Sequence, residues 1–169
     1  EPEPTVFTAN HAYAFYYGDQ YTPGTADNFY FFFSDLGVDE NGWELPNGTY
    51  YRFDLYTEII DTTNGIYIPE GTYTYDWFDS MQVGTFSDIN SAYYVMDDSG
   101  YDYTDYSSLG EGSITFTESG VTAEVLVNGA THIITYEGDI TFTDVSSSGG
   151  GEEGDTLSTL TEDKDFDIE

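Results

Sequence analysis

The sequence predicts an all-β fold. Three observations carry that reading: apolar and polar residues alternate with a period of two, Gly, Asn, Asp and Pro punctuate the alternation at short intervals, and no segment keeps a helical period over three turns. Strands are expected near residues 5–9, 12–18, 27–35, 49–60, 70–77, 83–88, 91–97, 111–118, 121–128 and 131–144, about ten in all, with loose boundaries. Short connections between successive strands favour antiparallel neighbours. The expected architecture is an antiparallel meander, forming either a flattened, lipocalin-like barrel or a two-layer β-sandwich.

The early segments read as follows. Phe29-Tyr30-Phe31-Phe32-Phe33 is apolar on both faces, as in a central strand covered from both sides. In Tyr50 to Ile59, one face carries Tyr51, Phe53, Leu55, Thr57 and Ile59. The other carries Tyr50, Arg52, Asp54, Tyr56 and Glu58, so a half-buried strand is expected. Leu45-Pro46-Asn47-Gly48-Thr49-Tyr50 is echoed by Ile68-Pro69-Glu70-Gly71-Thr72-Tyr73. In each unit Pro sets φ at the first corner and Gly is expected to supply the positive φ two residues later, delivering the chain into a strand.

Later segments follow the same grammar. Ile114 and Phe116, then Ile140 and Phe142, alternate with threonines. Val121, Ala123, Val125 and Val127 form one apolar face, and Asn128-Gly129 signals a tight hairpin into a strand from Thr131 through Tyr136. The domain is expected over residues 5–145, after a Pro/Glu spacer at 1–4 that reads as a tether following a removed signal segment. Residues 146–154, rich in Ser, Gly and Glu, read as a flexible linker. Residues 155–169 are then a terminal strand or the start of a following domain, with the second preferred.

Composition narrows the function. The chain has 169 residues, 33 Asp and Glu against two basic residues, Arg52 and Lys164, and a formal net charge of −31. Such a surface repels nucleic acids, anionic lipid headgroups and phosphate-bearing cofactors, because no Lys/Arg array exists to replace their counterions. Halophilic cytosolic proteins share this acidity, but 17 Tyr, 12 Phe and 2 Trp weigh against that reading and against acidic disorder. The absence of cysteine removes disulfides, thiol nucleophiles and Cys-based zinc sites. No apolar run reaches the length of a membrane span.

Catalytic constellations are sparse. His11 and His132 are the two histidines, each read as structural, and there is no Gly-x-Ser-x-Gly elbow. A glycoside hydrolase needs only two well-separated carboxylates, but with this many acids no pair is singled out. Calcium is the cofactor such acids suit best, since it takes six to eight oxygen ligands. The segment Asp35 to Gly42 fails as an EF-hand because Gly37 and Gly48 would occupy its end positions. Asp97, Asp98, Asp102 and Asp105 crowd a second expected loop and are the candidate calcium ligands. Trp43, Trp77, Tyr101 and Tyr103 are the candidate ligand platforms, because aromatic faces bordered by acids suit sugar rings. Asn47-Gly48-Thr49 fits a glycosylation pattern, though the turn alone accounts for it.

Ala14-Phe15-Tyr16-Tyr17-Gly18-Asp19, Gly24-Thr25-Ala26-Asp27-Asn28-Phe29-Tyr30, Phe53-Asp54-Leu55-Tyr56 and Ile68-Pro69-Glu70-Gly71-Thr72-Tyr73 resemble uncharacterised secreted or surface lipoproteins of Bacteroides-type gut bacteria. The resemblance covers about residues 5–145 and rests on structural motifs, so it carries no functional residues. It implies a lipid anchor upstream, an extracellular or cell-surface address and, in some members, tandem domains. Asp79-Ser80-Met81 and Asp155-Thr156-Leu157 are similar to the short O-glycosylation acceptors of those bacteria. The expectation is a non-enzymatic surface module that attaches to a glycan or a host or surface protein, or that spaces such a module from the membrane, as an outer-membrane lipoprotein ectodomain would. The alternatives are a carboxylate-pair glycoside hydrolase and a barrel carrying a small apolar ligand.

Overall fold

The computed structural model describes residues 3–146. The expected linker beyond Ser146 and the segment 155–169 lie outside them. Eleven strands follow in order: β1 Thr5–Thr8, β2 His11–Gly18, β3 Asp27–Ser34, β4 Thr49–Thr57, β5 Gly71–Asp76, β6 Thr85–Ser87, β7 Ala92–Met96, β8 Tyr103–Phe116, β9 Gly120–Val127, β10 Ala130–Glu137 and β11 Thr141–Asp144. The all-β class holds, with no helix among the described residues.

The strands close a flattened barrel. β4 pairs β7 through Thr49–Arg52 and β6 through Leu55 and Tyr56. β8 pairs β7 through its first half and β5 through Ser113–Phe116, and β5–β6 completes the ring. Additional strands extend it on two sides, as β4-β3-β2-β11 and as β8-β9-β10-β1. The meander is antiparallel through β2-β3-β4 and β8-β9-β10, but three pairs are parallel: β1–β10, β2–β11 and β5–β6. The first two share one cause. Only Ala9 and Asn10 separate β1 from β2, so this extended segment runs along β10 first and along β11 afterwards.

Packing follows the alternation. On β3, Phe31 lies between Ala14 of β2 and Phe53 of β4, and Phe33 lies between Ala12 and Tyr51. Small residues on β2 leave room for the large rings beside them. Phe31 meets Phe116 of β8 edge to face at 5.0 Å, and Phe53 meets Phe86 of β6 at 5.1 Å, which ties the two sides of the barrel together. Phe29, Phe31, Phe33, Phe53, Leu55, Phe86 and Ile114 are fully buried, so side chains fill the interior. Burial of each such side chain is worth about 1.5–3 kcal/mol relative to exposure.

The hairpin after Val127 forms as the sequence predicts. Asn128 and Gly129 both adopt positive φ, 52° and 83°, and Val127 pairs with Ala130. Of the two Pro-x-Gly-Thr-Tyr units, the first departs from expectation and the second meets it. In the first, Asn47 rather than Gly48 takes the left-handed conformation (φ 66°), while the Gly48 N–H closes the turn onto Leu45 O. Gly48 is there because a Cβ would lie 2.5 Å from the Tyr50 hydroxyl. In the second, Gly71 does take positive φ, at 137°. Both tyrosines fold back on their own turns: Tyr50 Oη accepts from Leu45 N–H, and Tyr73 Oη donates to Pro69 O.

β4 is buried on both faces along Tyr50–Thr57, which corrects the half-buried expectation. Its outward face joins Tyr13, Tyr17, Tyr30, Phe32, Tyr94 and Met96 in a second cluster. Arg52 is 1% exposed within it, its guanidinium 5.4 Å from the Tyr30 ring centre and 6.0 Å from that of Tyr94, while Nε–H donates to Asn90 O. Aromatic rings accept a cation where aliphatic side chains would not, so one charged position does not betray a solvent-facing row.

Candidate ligand cleft at the β5–β6 loop

β5 ends at Asp76, and its carboxylate organises the connection that follows. Oδ1 accepts the Phe78 N–H at 3.0 Å, and Oδ2 accepts the Ser80 N–H at 2.7 Å and the Ser80 hydroxyl at 2.6 Å. This is the local side-chain-to-backbone bonding for which aspartate favours turns. The Ser80 hydroxyl, supported by the loop N–H groups, holds Asp76 below the ordinary carboxylate value, so the brace is ionised at neutral pH. Asp79 and Met81 then take positive φ, at 56° and 62°. Such conformations are unfavourable for side-chain-bearing residues and persist where surrounding bonds enforce them.

The braced loop displays apolar side chains outward. Trp77 is 66% exposed and Phe78 81%, with Met81 and Val83 also exposed. The Trp77 and Phe78 rings meet nearly edge to face, with centroids 6.4 Å apart. An open cleft of about 540 Å³ runs beside them, lined by Tyr75, Asp76, Trp77, Phe78, Glu111 and Leu126. That volume lies within the range of small-ligand sites. On the other side of the loop, a second cleft of about 600 Å³ lies between Thr22, Pro23 and Thr25 and the stretch Ser80–Val83.

Glu111 reaches the first cleft through an irregularity in β8. Register with β9 shifts between Leu109 and Gly112, and Gly112 sits at φ 150°. A Cβ on Gly112 would lie 2.1 Å from Glu124 O, so the strands approach this closely only with glycine there. Bulges of this kind re-aim side chains, and this one carries an exposed carboxylate to the aromatic loop. Tyr75 lies in the same cleft and donates its hydroxyl proton to Asp88 Oδ1. Burial, then that hydrogen bond and the charges of Asp88, Glu111 and Asp76, push the phenol up to about 12.

The remaining sequence candidates lie elsewhere. Trp77 flanks the end of β4 that meets β6, where Gly84 N–H bonds Tyr56 O. Trp43 and Tyr101 belong to loops at the opposite end of β4, joined by the Asn47 N–H to Asp97 O bond and by Pro46 against Gly100. Trp43 is half-buried in a loop braced by Asp39, and Tyr101 is 88% exposed at the β7–β8 turn. Tyr103 is half-buried and packs edge-on against Tyr94 at 5.3 Å. The four aromatic candidates therefore do not form one platform.

Asp97 is committed to its own turn. Its Oδ1 accepts from the Ser99 N–H, the Ser99 hydroxyl and the Gly100 N–H, and the Ser99 hydroxyl holds it below the ordinary carboxylate value. Asp98 and Asp102 are exposed, and Asp105 lies on β8 opposite Val95 rather than in a loop. Among the described residues no three acids or histidines are grouped as metal ligands.

Among the described residues three carboxylates are buried and serve the scaffold: Glu44 accepts the Tyr94 hydroxyl at 2.7 Å, and Asp27 and Asp54 brace the strands. Asp27 accepts the Tyr16 hydroxyl and the Ile60 N–H. Asp54 accepts Asn28 Nδ2 at 2.7 Å and the Ser87 hydroxyl at 2.8 Å. His132 is also structural: Nδ1 lies 2.7 Å from the Tyr51 hydroxyl, and burial lowers the imidazole pKa. Glu111, Tyr75 and Leu126 were not among the sequence candidates. The one available signal was Gly110-Glu111-Gly112, an acid between two glycines within a strand. Comparison with protein-family models, with curated proteins and with solved structures finds no match to this chain.

Proposed function

We propose that this chain is a non-enzymatic binding module of the cell surface or extracellular space, engaging its ligand at the β5–β6 loop. One observation carries the reading: Trp77 and Phe78 are held outward by a loop braced on Asp76, beside an open cleft. Two large exposed aromatic side chains on a braced loop form a surface whose desolvation can drive association. Pre-organisation lowers the entropy lost when a ligand orders its contacts. The acids that are buried or braced are committed to scaffold donors, which suits recognition better than proton transfer. The surface address rests on the lipoprotein resemblance and on a charge that repels intracellular polyanions.

The test is a paired screen of the protein and a Trp77→Ala/Phe78→Ala variant on glycan and peptide arrays. The expected result is a set of ligands retained by the parent and lost by the variant. A parent that binds nothing on either array, or binding indifferent to both substitutions, would refute ligand engagement at this loop.

A further inference from the structure

Resting on that reading, we infer that the Trp77 cleft takes a lysine or arginine side chain from a basic segment of another protein. The chemistry of the lining sets the choice. Glu111 offers acceptor oxygens alone, both Asp76 oxygens are occupied by the loop, and the Tyr75 hydroxyl already donates to Asp88. The indole N–H of Trp77 is the remaining side-chain donor of the lining, and Phe78 and Leu126 supply none. A sugar presents hydroxyls that both donate and accept, so most of its acceptors would go unmatched here. An ammonium or guanidinium is donor-only and matches an acceptor-only carboxylate. Its apolar stem packs on the indole while the cation lies against an aromatic face, as cation–π pairing favours.

Charge complementarity points the same way. Asp76 and Glu111 line the cleft, and Asp88 stands behind Tyr75. The whole chain, at −31, steers cations inward and anions away. A second copy of this chain is a poor occupant: of its two basic residues Arg52 is buried, which leaves Lys164. The partner is therefore a different protein carrying exposed lysines or arginines.

The test titrates the full chain with hexalysine and hexaarginine, following tryptophan fluorescence and calorimetric heat at low and at physiological salt. Asp98→Asn, at the far end of β4, controls for diffuse attraction, because it removes the same charge as Glu111→Gln. The expected result is saturable binding weakened at least fivefold by Trp77→Ala and by Glu111→Gln, and less than twofold by Asp98→Asn. Equal weakening by Glu111→Gln and Asp98→Asn, or indifference to Trp77→Ala, would overturn the inference. If neutral oligosaccharides bind through Trp77, without salt dependence or sensitivity to Glu111→Gln, the cation specificity is refuted and the binding module stands. If neither peptides nor oligosaccharides bind, both fall.

Discussion

Asp54 lies 1% exposed on the outward face of β4, held by Asn28 Nδ2 and the Ser87 hydroxyl, with Tyr56 Oη and Asn90 Nδ2 each 3.5 Å away. Burial raises its carboxyl from 3.8 to about 6, against the opposing effect of the Asn28, Ser87 and Asn90 donors and of the Arg52 charge. A carboxyl that is more basic folded than unfolded stabilises the fold fully below pH 4, and that contribution is lost as pH rises through 6. At 1.36 kcal/mol per pH unit the loss is about 3 kcal/mol. The exposed acids also repel one another more as they ionise, so the wild-type curve alone does not isolate Asp54. Asp54→Asn does, because it removes the proton equilibrium and keeps the shape. The amide turns one acceptor into a donor facing Asn28 and Ser87, at a roughly pH-independent cost of about 1–3 kcal/mol. Urea unfolding of both proteins, followed by fluorescence between pH 4 and 7, reads the difference. Wild type is expected to lose about 2 kcal/mol relative to the variant between pH 4 and 6.5, with little change above. A difference independent of pH, or one that grows in favour of wild type, would refute the reasoning.

Gly112→Ala places a methyl 2.1 Å from Glu124 O and forces the β8–β9 ladder apart, so a loss of about 3 kcal/mol or more is expected by chemical denaturation. The His132 imidazole, held against the Tyr51 hydroxyl and desolvated, is expected to titrate below the usual 6.5 by NMR, and its contribution to stability falls as pH drops toward that range. Added sodium chloride is expected to raise the melting temperature by screening the −31 charge. Calcium and magnesium at matched ionic strength are expected to act alike, because Asp97 Oδ1 is committed to the donors of its own turn. A calcium-selective rise would contradict this and place an ion site at the β7–β8 turn.

Much of the fold was legible because its signals are local. The valine face of β9 and the Asn128-Gly129 turn specify their hairpin within ten residues, and β3 declares a doubly covered strand by being apolar throughout. The misread parts depend on distant partners. Residues 103–110 show no apolar face, yet they form the first half of β8 because β7 supplies a complete antiparallel partner. Arg52 and Asp54 looked solvent-facing until tyrosines from β3 and β7 and the amides of Asn28 and Asn90 gathered around them. Parallel pairing of β1 and β11 depends on where an extended segment crosses the barrel edge, which carries no side-chain signature. Trp77 was visible as an aromatic residue at a strand end. Its carboxylate neighbour was hidden, because a bulge in β8 delivers Glu111 from 34 residues further along the chain.

The two tryptophans provide an internal control for the claim that ligands engage at the β5–β6 loop, since Trp43 and Trp77 sit at opposite ends of β4. Two-dimensional ¹H–¹⁵N NMR resolves both indole N–H signals in one spectrum during a titration with hexalysine. The expected result is a progressive shift of the Trp77 indole, with the Phe78 and Glu111 backbone amides moving on the same curve and the Trp43 indole still. Movement of Trp43 with a stationary Trp77 would contradict the placement of the site, and no movement of either would contradict binding of this probe by the loop.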